Sequence, residues 1–119
     1  MFPASQLNKV YIQKSLKNTP EGFEFILKNV IDSGTLSSVK SLLIDGNEVS
    51  LSSITIKTAT HEYSAASITY NNSVPLRYSA EALIRVTGKP LDAGRHEIKL
   101  TIAVMEAGRV EISFTDEVS

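Results

Sequence analysis

Apolar and polar residues alternate with a period of two along much of this chain, and that period sends successive side chains to opposite faces of a β-strand. The longest case comes late, where His96, Ile98, Leu100, Ile102 and Val104 share one face while Glu97, Lys99 and Thr101 take the other. Met105-Glu106-Ala107-Gly108 then allows a turn into Val110, Ile112 and Phe114, which predicts a terminal hairpin. Earlier, Phe23, Phe25 and Leu27 alternate with Glu24, Ile26 and Lys28, and Ile54 and Ile56 alternate with Thr55 and Lys57. Further strands are expected over 9–16, with Val10, Ile12 and Leu16 on one face, over 36–44, over 47–51 and over 83–86.

Turn chemistry separates these runs. Asn18-Thr19-Pro20-Glu21-Gly22 ends the first, and Asp45-Gly46 is the strongest short hairpin signal in the chain because both central positions of such a turn require positive φ. Five of the six glycines, Gly22, Gly34, Gly46, Gly94 and Gly108, flank strand-like segments. With no convincing amphipathic helix, about seven or eight short strands predict an all-β fold, an antiparallel two-sheet β-sandwich of Ig-like or jelly-roll connectivity. Leu91-Asp92-Ala93-Gly94-Arg95-His96 is similar to the entry of a late strand in Ig-like sandwiches, with His96 where a Tyr usually fixes the corner.

The chain has 119 residues, enough for one core and too few for two, so residues 1–119 are expected to form a single domain. Twelve basic against thirteen acidic residues give a net charge of -1, which removes the electrostatic footprint of a nucleic-acid binder. Cysteine is absent, so disulfides and thiolate metal sites are impossible. The residues Met1 to Leu7 lack a basic stretch followed by an apolar run, and no apolar run approaches the roughly 20 residues that span a bilayer. A cytoplasmic location is the expectation.

Searches for self-sufficient chemistry return little. Two histidines, His61 and His96, stand far apart in sequence, whereas a catalytic zinc site uses about three protein ligands. Neither a Gly-x-Ser-x-Gly elbow nor a Gly-x-Gly-x-x-Gly or Walker loop occurs. Carboxylates such as Glu24, Glu97 and Glu111 alternate with apolar residues, which reads as a solvated sheet face rather than an acid/base pair. No catalytic or metal-ligating residue is therefore assigned. One concentration stands out between Ala59 and Tyr78, where Tyr63, Tyr70 and Tyr78 accompany His61, Asn71, Asn72 and Arg77. Three readings remain open there: a half-covered sheet edge, contact with a protein partner, or stacking of a planar or sugar-like ligand.

Four patterns carry a family resemblance: Asn18 with Gly22-Phe23-Glu24-Phe25, Gly34-Thr35-Leu36-Ser37, Leu43-Ile44-Asp45-Gly46-Asn47-Glu48-Val49, and Pro90-Leu91-Asp92-Ala93-Gly94-Arg95-His96-Glu97-Ile98. In this order and spacing, over residues 9–105, the chain resembles the β subunit of C-glycoside deglycosidases. The resemblance implies a β-sandwich accessory subunit of a carbon-carbon lyase that cleaves a 3-keto sugar from an aromatic, flavonoid-type aglycone. It also implies a larger barrel-type catalytic subunit as partner and a divalent metal, Mn²⁺, held by that partner, with no cofactor in this chain. Asp32, Ser33, Gly34, Leu36, Tyr63, Tyr70, Arg77 and Tyr78 are then the candidates for a partner interface or a substrate wall. The alternatives are a free-standing carbohydrate-binding or structural module that uses the tyrosine-rich middle, and a small carboxylate hydrolase.

Overall fold

The computed structural model describes residues 9–119. Among them ten strands are formed: β1 (Lys17–Thr19), β2 (Gly22–Lys28), β3 (Gly34–Ile44), β4 (Asn47–Glu48), β5 (Ile54–Lys57), β6 (Glu62–Ser64), β7 (Val74–Leu76), β8 (Glu81–Thr87), β9 (Gly94–Val104) and β10 (Gly108–Val118). They build two sheets of five, one in the order β1-β2-β8-β5-β6 and the other β10-β9-β3-β4 with β7 also on β3. Every pairing is antiparallel. The expected all-β sandwich is the fold observed. The strands not expected, β1, β6 and β7, have three residues each, too short to show a period of two, and the return strand expected over 47–51 is reduced to the two residues of β4.

The inner faces follow the alternation. Phe23, Phe25 and Leu27 on β2 meet Ala82, Ile84 and Val86 on β8, and Ile98, Leu100, Ile102 and Val104 on β9 meet Val110 and Ile112 on β10, all buried. On β3 the buried residues are Leu36, Val39, Leu42 and Ile44, whose spacing breaks the period of two. Two register shifts against β9, between Leu36 and Ser38 and between Val39 and Ser41, account for it: each bulge inserts one residue, so all four still face inward opposite Val104, Ile102, Leu100 and Ile98.

Turn residues act where expected. Asp45 (φ 53°) and Gly46 (φ 83°) both take positive φ, the requirement of a type I′ turn, and join Ile44 to Asn47. Gly22 closes the β1–β2 turn for a different reason. A Cβ there would lie 2.0 Å from the Val86 carbonyl oxygen, so only glycine lets β8 approach.

The expected strand over 9–16 is instead an irregular segment held by one bridge, Tyr11 to Leu27, and by Lys14 at φ 68°. Its buried residues are Val10, Tyr11 and Leu16 rather than a Val10-Ile12-Leu16 face. The reason is the Tyr11 side chain. Its ring stacks on Phe114 at 3.6 Å between centroids, Phe25 meets both rings edge-on, and its hydroxyl donates to Asp116 Oδ2 at 2.5 Å. Glu24 also departs from a solvated reading: it is buried on the outer face of β2 between Lys17 at 3.7 Å and Arg85 at 3.6 Å.

Candidate functional site

Two loops meet at the end of the sandwich where β2 leaves for β3 and β7 leaves for β8. Asn29 joins them. Its Nδ2 donates to the carbonyls of Asp32 (2.7 Å) and Leu76 (2.9 Å), while its Oδ1 accepts from the backbone of Ile31 and Asp32. Its backbone also pairs with the second loop, through Asn29 N to Ala80 O and Ser79 N to Asn29 O. Ser33 Oγ accepts from Tyr78 N at 3.0 Å, and Gly34 pairs with Leu76 where β3 meets β7. A third loop arrives from the β9–β10 hairpin. Glu106 accepts from Thr35 N (2.8 Å) and Thr35 Oγ1 (2.9 Å), and Met105 N donates to Thr35 O (2.9 Å). The hydrogen bonds from the Thr35 hydroxyl and amide lower the Glu106 carboxyl from its ordinary value.

Between these loops the two sheets part around a cavity of about 80 Å³. Its walls are aliphatic side chains of both sheets, among them Leu27, Ala82, Leu100 and Ile102. The half-exposed lining residues Ile31, Gly34, Leu76 and Ala80 mark its mouth. Beside the mouth Tyr78 is 60% exposed, Arg77 and Asp32 are exposed, and Met105, on the neighbouring hairpin, is 40% exposed.

Of the residues singled out from the sequence, Asp32, Ser33, Gly34, Arg77 and Tyr78 come together at this mouth. Leu36 does not belong to the rim: it is 3% exposed and forms part of the cavity wall. Tyr63 stands on β6 at the border of the other sheet, opposite Ile56 and 6.0 Å from the His61 ring. Tyr70, 74% exposed, occupies the turn that Thr69 and Asn72 close with reciprocal backbone bonds. Sequence reasoning missed Asn29 and Glu106, which organise the mouth. Nothing in an isolated loop Asn or hairpin Glu marks it as a clamp until its partners are known.

His96 is a corner, not a ligand. Its Nε2 lies 2.7 Å from the Asp92 carbonyl and its Nδ1 2.6 Å from Asp45 Oδ2, so an acceptor faces each ring nitrogen. Those two bonds, first to the Asp92 carbonyl and then to Asp45, raise the imidazole above its ordinary value. Asp45 in turn accepts from Glu97 N at 2.8 Å, and this backbone bond with the His96 contact lowers its carboxyl. Among the described residues no three His, Asp or Glu side chains are grouped to hold a metal ion.

Fold and mouth together define a β-sandwich that opens at one end onto an apolar cavity. The chain matches the family described as hydroxymethylglutaryl-CoA reductase, N-terminal domain, over residues 6–119, and it belongs to that family. No curated protein matched it.

This family assignment overturns the resemblance to C-glycoside deglycosidase β subunits, and with it the reading as accessory subunit of a carbon-carbon lyase acting on flavonoid glycosides. The alternative of a free-standing carbohydrate-binding or structural module finds no support in it either. The structure shows why three of the four patterns misled: they encode the close approach at Gly22, the Asp45-Gly46 turn and the His96 corner, which are demands of a sandwich and not of a substrate. A larger partner keeps its footing, because the family is one domain of a larger enzyme. No helix among the described residues is long and apolar enough to cross a membrane.

Proposed function

We infer that this domain is a non-catalytic part of a hydroxymethylglutaryl-CoA reductase and that it docks on the catalytic body through the mouth between Asn29–Gly34 and Arg77–Ala80. The observation that carries this reading is the apolar cavity of about 80 Å³ whose lining includes Leu76 and Ala80, the residues that flank the exposed Arg77 and Tyr78 in the chain. Its size decides between occupants. Pockets for small-molecule ligands measure roughly 300–1,000 Å³, so a coenzyme thioester or a nucleotide does not fit, whereas part of one apolar side chain does. Tyr78 and Arg77 are of the residue types that anchor protein interfaces, and Ser33, Asp32 and Asn29 supply the polar rim.

The test is binding of this chain to the catalytic portion of the reductase from the same source, followed by sedimentation velocity and by turnover of hydroxymethylglutaryl-CoA. Formation of a complex that Tyr78→Ala weakens by about tenfold or more, in line with an interface anchor, is the expected result. Separate sedimentation at all concentrations would sink the reading.

A further inference from the structure

Most strands that border the two sheets are protected by being short: β1, β6 and β7 have three residues each and β4 has two. β10 is different. It borders its sheet over eleven residues and pairs with β9 along its whole length without a register shift. Its sequence contains neither proline nor lysine, residues that commonly blunt such an edge. The 9–16 segment does not cover it either. The hydrogen bonds from that segment end on the Asp116 carboxylate, and its aromatic stack is with Phe114, so both contacts are with side chains of the inner face. Among the described residues the outer backbone edge of β10 makes no hydrogen bond to another segment, and of its amides only Glu117 N is engaged by a side chain, the neighbouring Asp116 Oδ1 at 2.7 Å.

We propose that this edge pairs antiparallel with the same edge of a second copy of the chain, about a two-fold axis, so that two five-stranded sheets become one continuous sheet. The order of side chains along β10 argues for a copy of itself. Its solvent face carries Arg109 near the start, Glu111 and Ser113 in the middle and Glu117 near the end. With Ser113 on the axis the whole strand is used: Arg109 of each copy lies opposite Glu117 of the other, Glu111 lies opposite Thr115, and on the inner face Ile112 lies opposite Phe114. Shifting the axis to Glu111 would set two carboxylates against each other, which disfavours that register. The β3–β7 side of the docking mouth lies across β9 from this edge, so a second copy paired along β10 leaves that side uncovered.

Sedimentation equilibrium of the full chain from micromolar to submillimolar concentration tests the proposal. A concentration-dependent dimer is expected. Ser113→Lys, which sets two ammonium groups at the axis from an exposed position, should weaken it on the order of tenfold or more. Arg109→Glu should weaken it as well, and the exchanged pair Arg109→Glu with Glu117→Arg should restore it. All three sites are exposed, so the circular dichroism and melting of the variants should match the parent. A chain that stays monomeric throughout, or a dimer indifferent to these changes, would overturn the proposal.

Discussion

The two ends of this sandwich solve the same packing problem in opposite ways. Where β10 finishes beside the start of β9, Tyr11, Phe25 and Phe114 fill the space between the sheets, and the Tyr11 hydroxyl is fixed by Asp116. Where β9 finishes, the sheets part around a cavity whose lining contains no aromatic residue and includes two alanines, Ala80 and Ala82. A protein that closes one end with stacked rings and leaves the other unfilled is stabilised from the first and has room for an occupant at the second. The polar contacts follow the same division: Asp116 and His96 serve the closed end, while Asn29 and Glu106 hold the loops of the open end apart at fixed positions.

Removing a ring from the closed end should have the largest effect. Phe25 is fully buried against the Tyr11 and Phe114 rings, and Phe25→Ala is expected to lower the unfolding free energy by about 3–5 kcal/mol in urea titration, because the stacked rings cannot collapse into so large a space. A loss below about 1 kcal/mol would mean that the closed end is as loosely packed as the open one. Tyr11→Phe keeps the stack and deletes only the hydroxyl, which donates to Asp116 and accepts from Leu16 N at 3.0 Å. That change should cost about 1–3 kcal/mol, since it strands a buried amide and removes a charge-assisted bond.

Long strands were legible in the sequence because each residue of β9 and most of β10 repeats the same inward or outward choice, and the Asp45-Gly46 turn was legible because its chemistry is local. What was not legible depends on partners far along the chain. Tyr11 looks like the outward residue of a strand until Asp116, 105 positions away, accepts its proton donor. The bulges in β3 blur the alternation there, since the inserted residues are defined only against β9. The candidate site was half visible: the residue types at Asp32–Gly34 and Arg77–Tyr78 suggested an interface, yet Tyr63 and Tyr70, close in sequence, are carried elsewhere by β6 and the following turn. Composition finds interface-prone side chains, and topology decides which of them meet.

At the open end the expected effect is smaller and of opposite sign. Ala82 sits in the cavity wall opposite Leu27, on a strand where a β-branched residue is well tolerated. Ala82→Val should raise stability by about 1 kcal/mol while weakening docking to the reductase body, because the added methyl groups occupy the space that a partner side chain would enter. Denaturant unfolding and binding measured on the same preparation separate the two effects. Greater stability with unchanged docking would show that the hollow is a packing defect and that the partner uses the rim alone.

The smallest effect is the pH dependence of the His96 corner. Both ring nitrogens face acceptors, the Asp92 carbonyl and the Asp45 carboxylate, so the folded state favours the doubly protonated ring and its value lies above the ordinary 6.5. A group whose value is raised by folding contributes stability that is fully present below its unfolded value and is lost as the pH rises through the folded one. The melting temperature should therefore fall gently as the pH is raised from about 6.5 through the raised value, and His96→Gln should flatten that slope. Asp45 behaves with the opposite sign: its carboxyl is lowered, first by the Glu97 amide and then by His96, so its contribution is present above 3.8 and fades as the pH falls through the lowered value. A melting temperature that rises from pH 6.5 upward in the parent and not in His96→Gln would mean that His96 is neutral in the fold, and that the corner is held by a single hydrogen bond rather than by an ion pair.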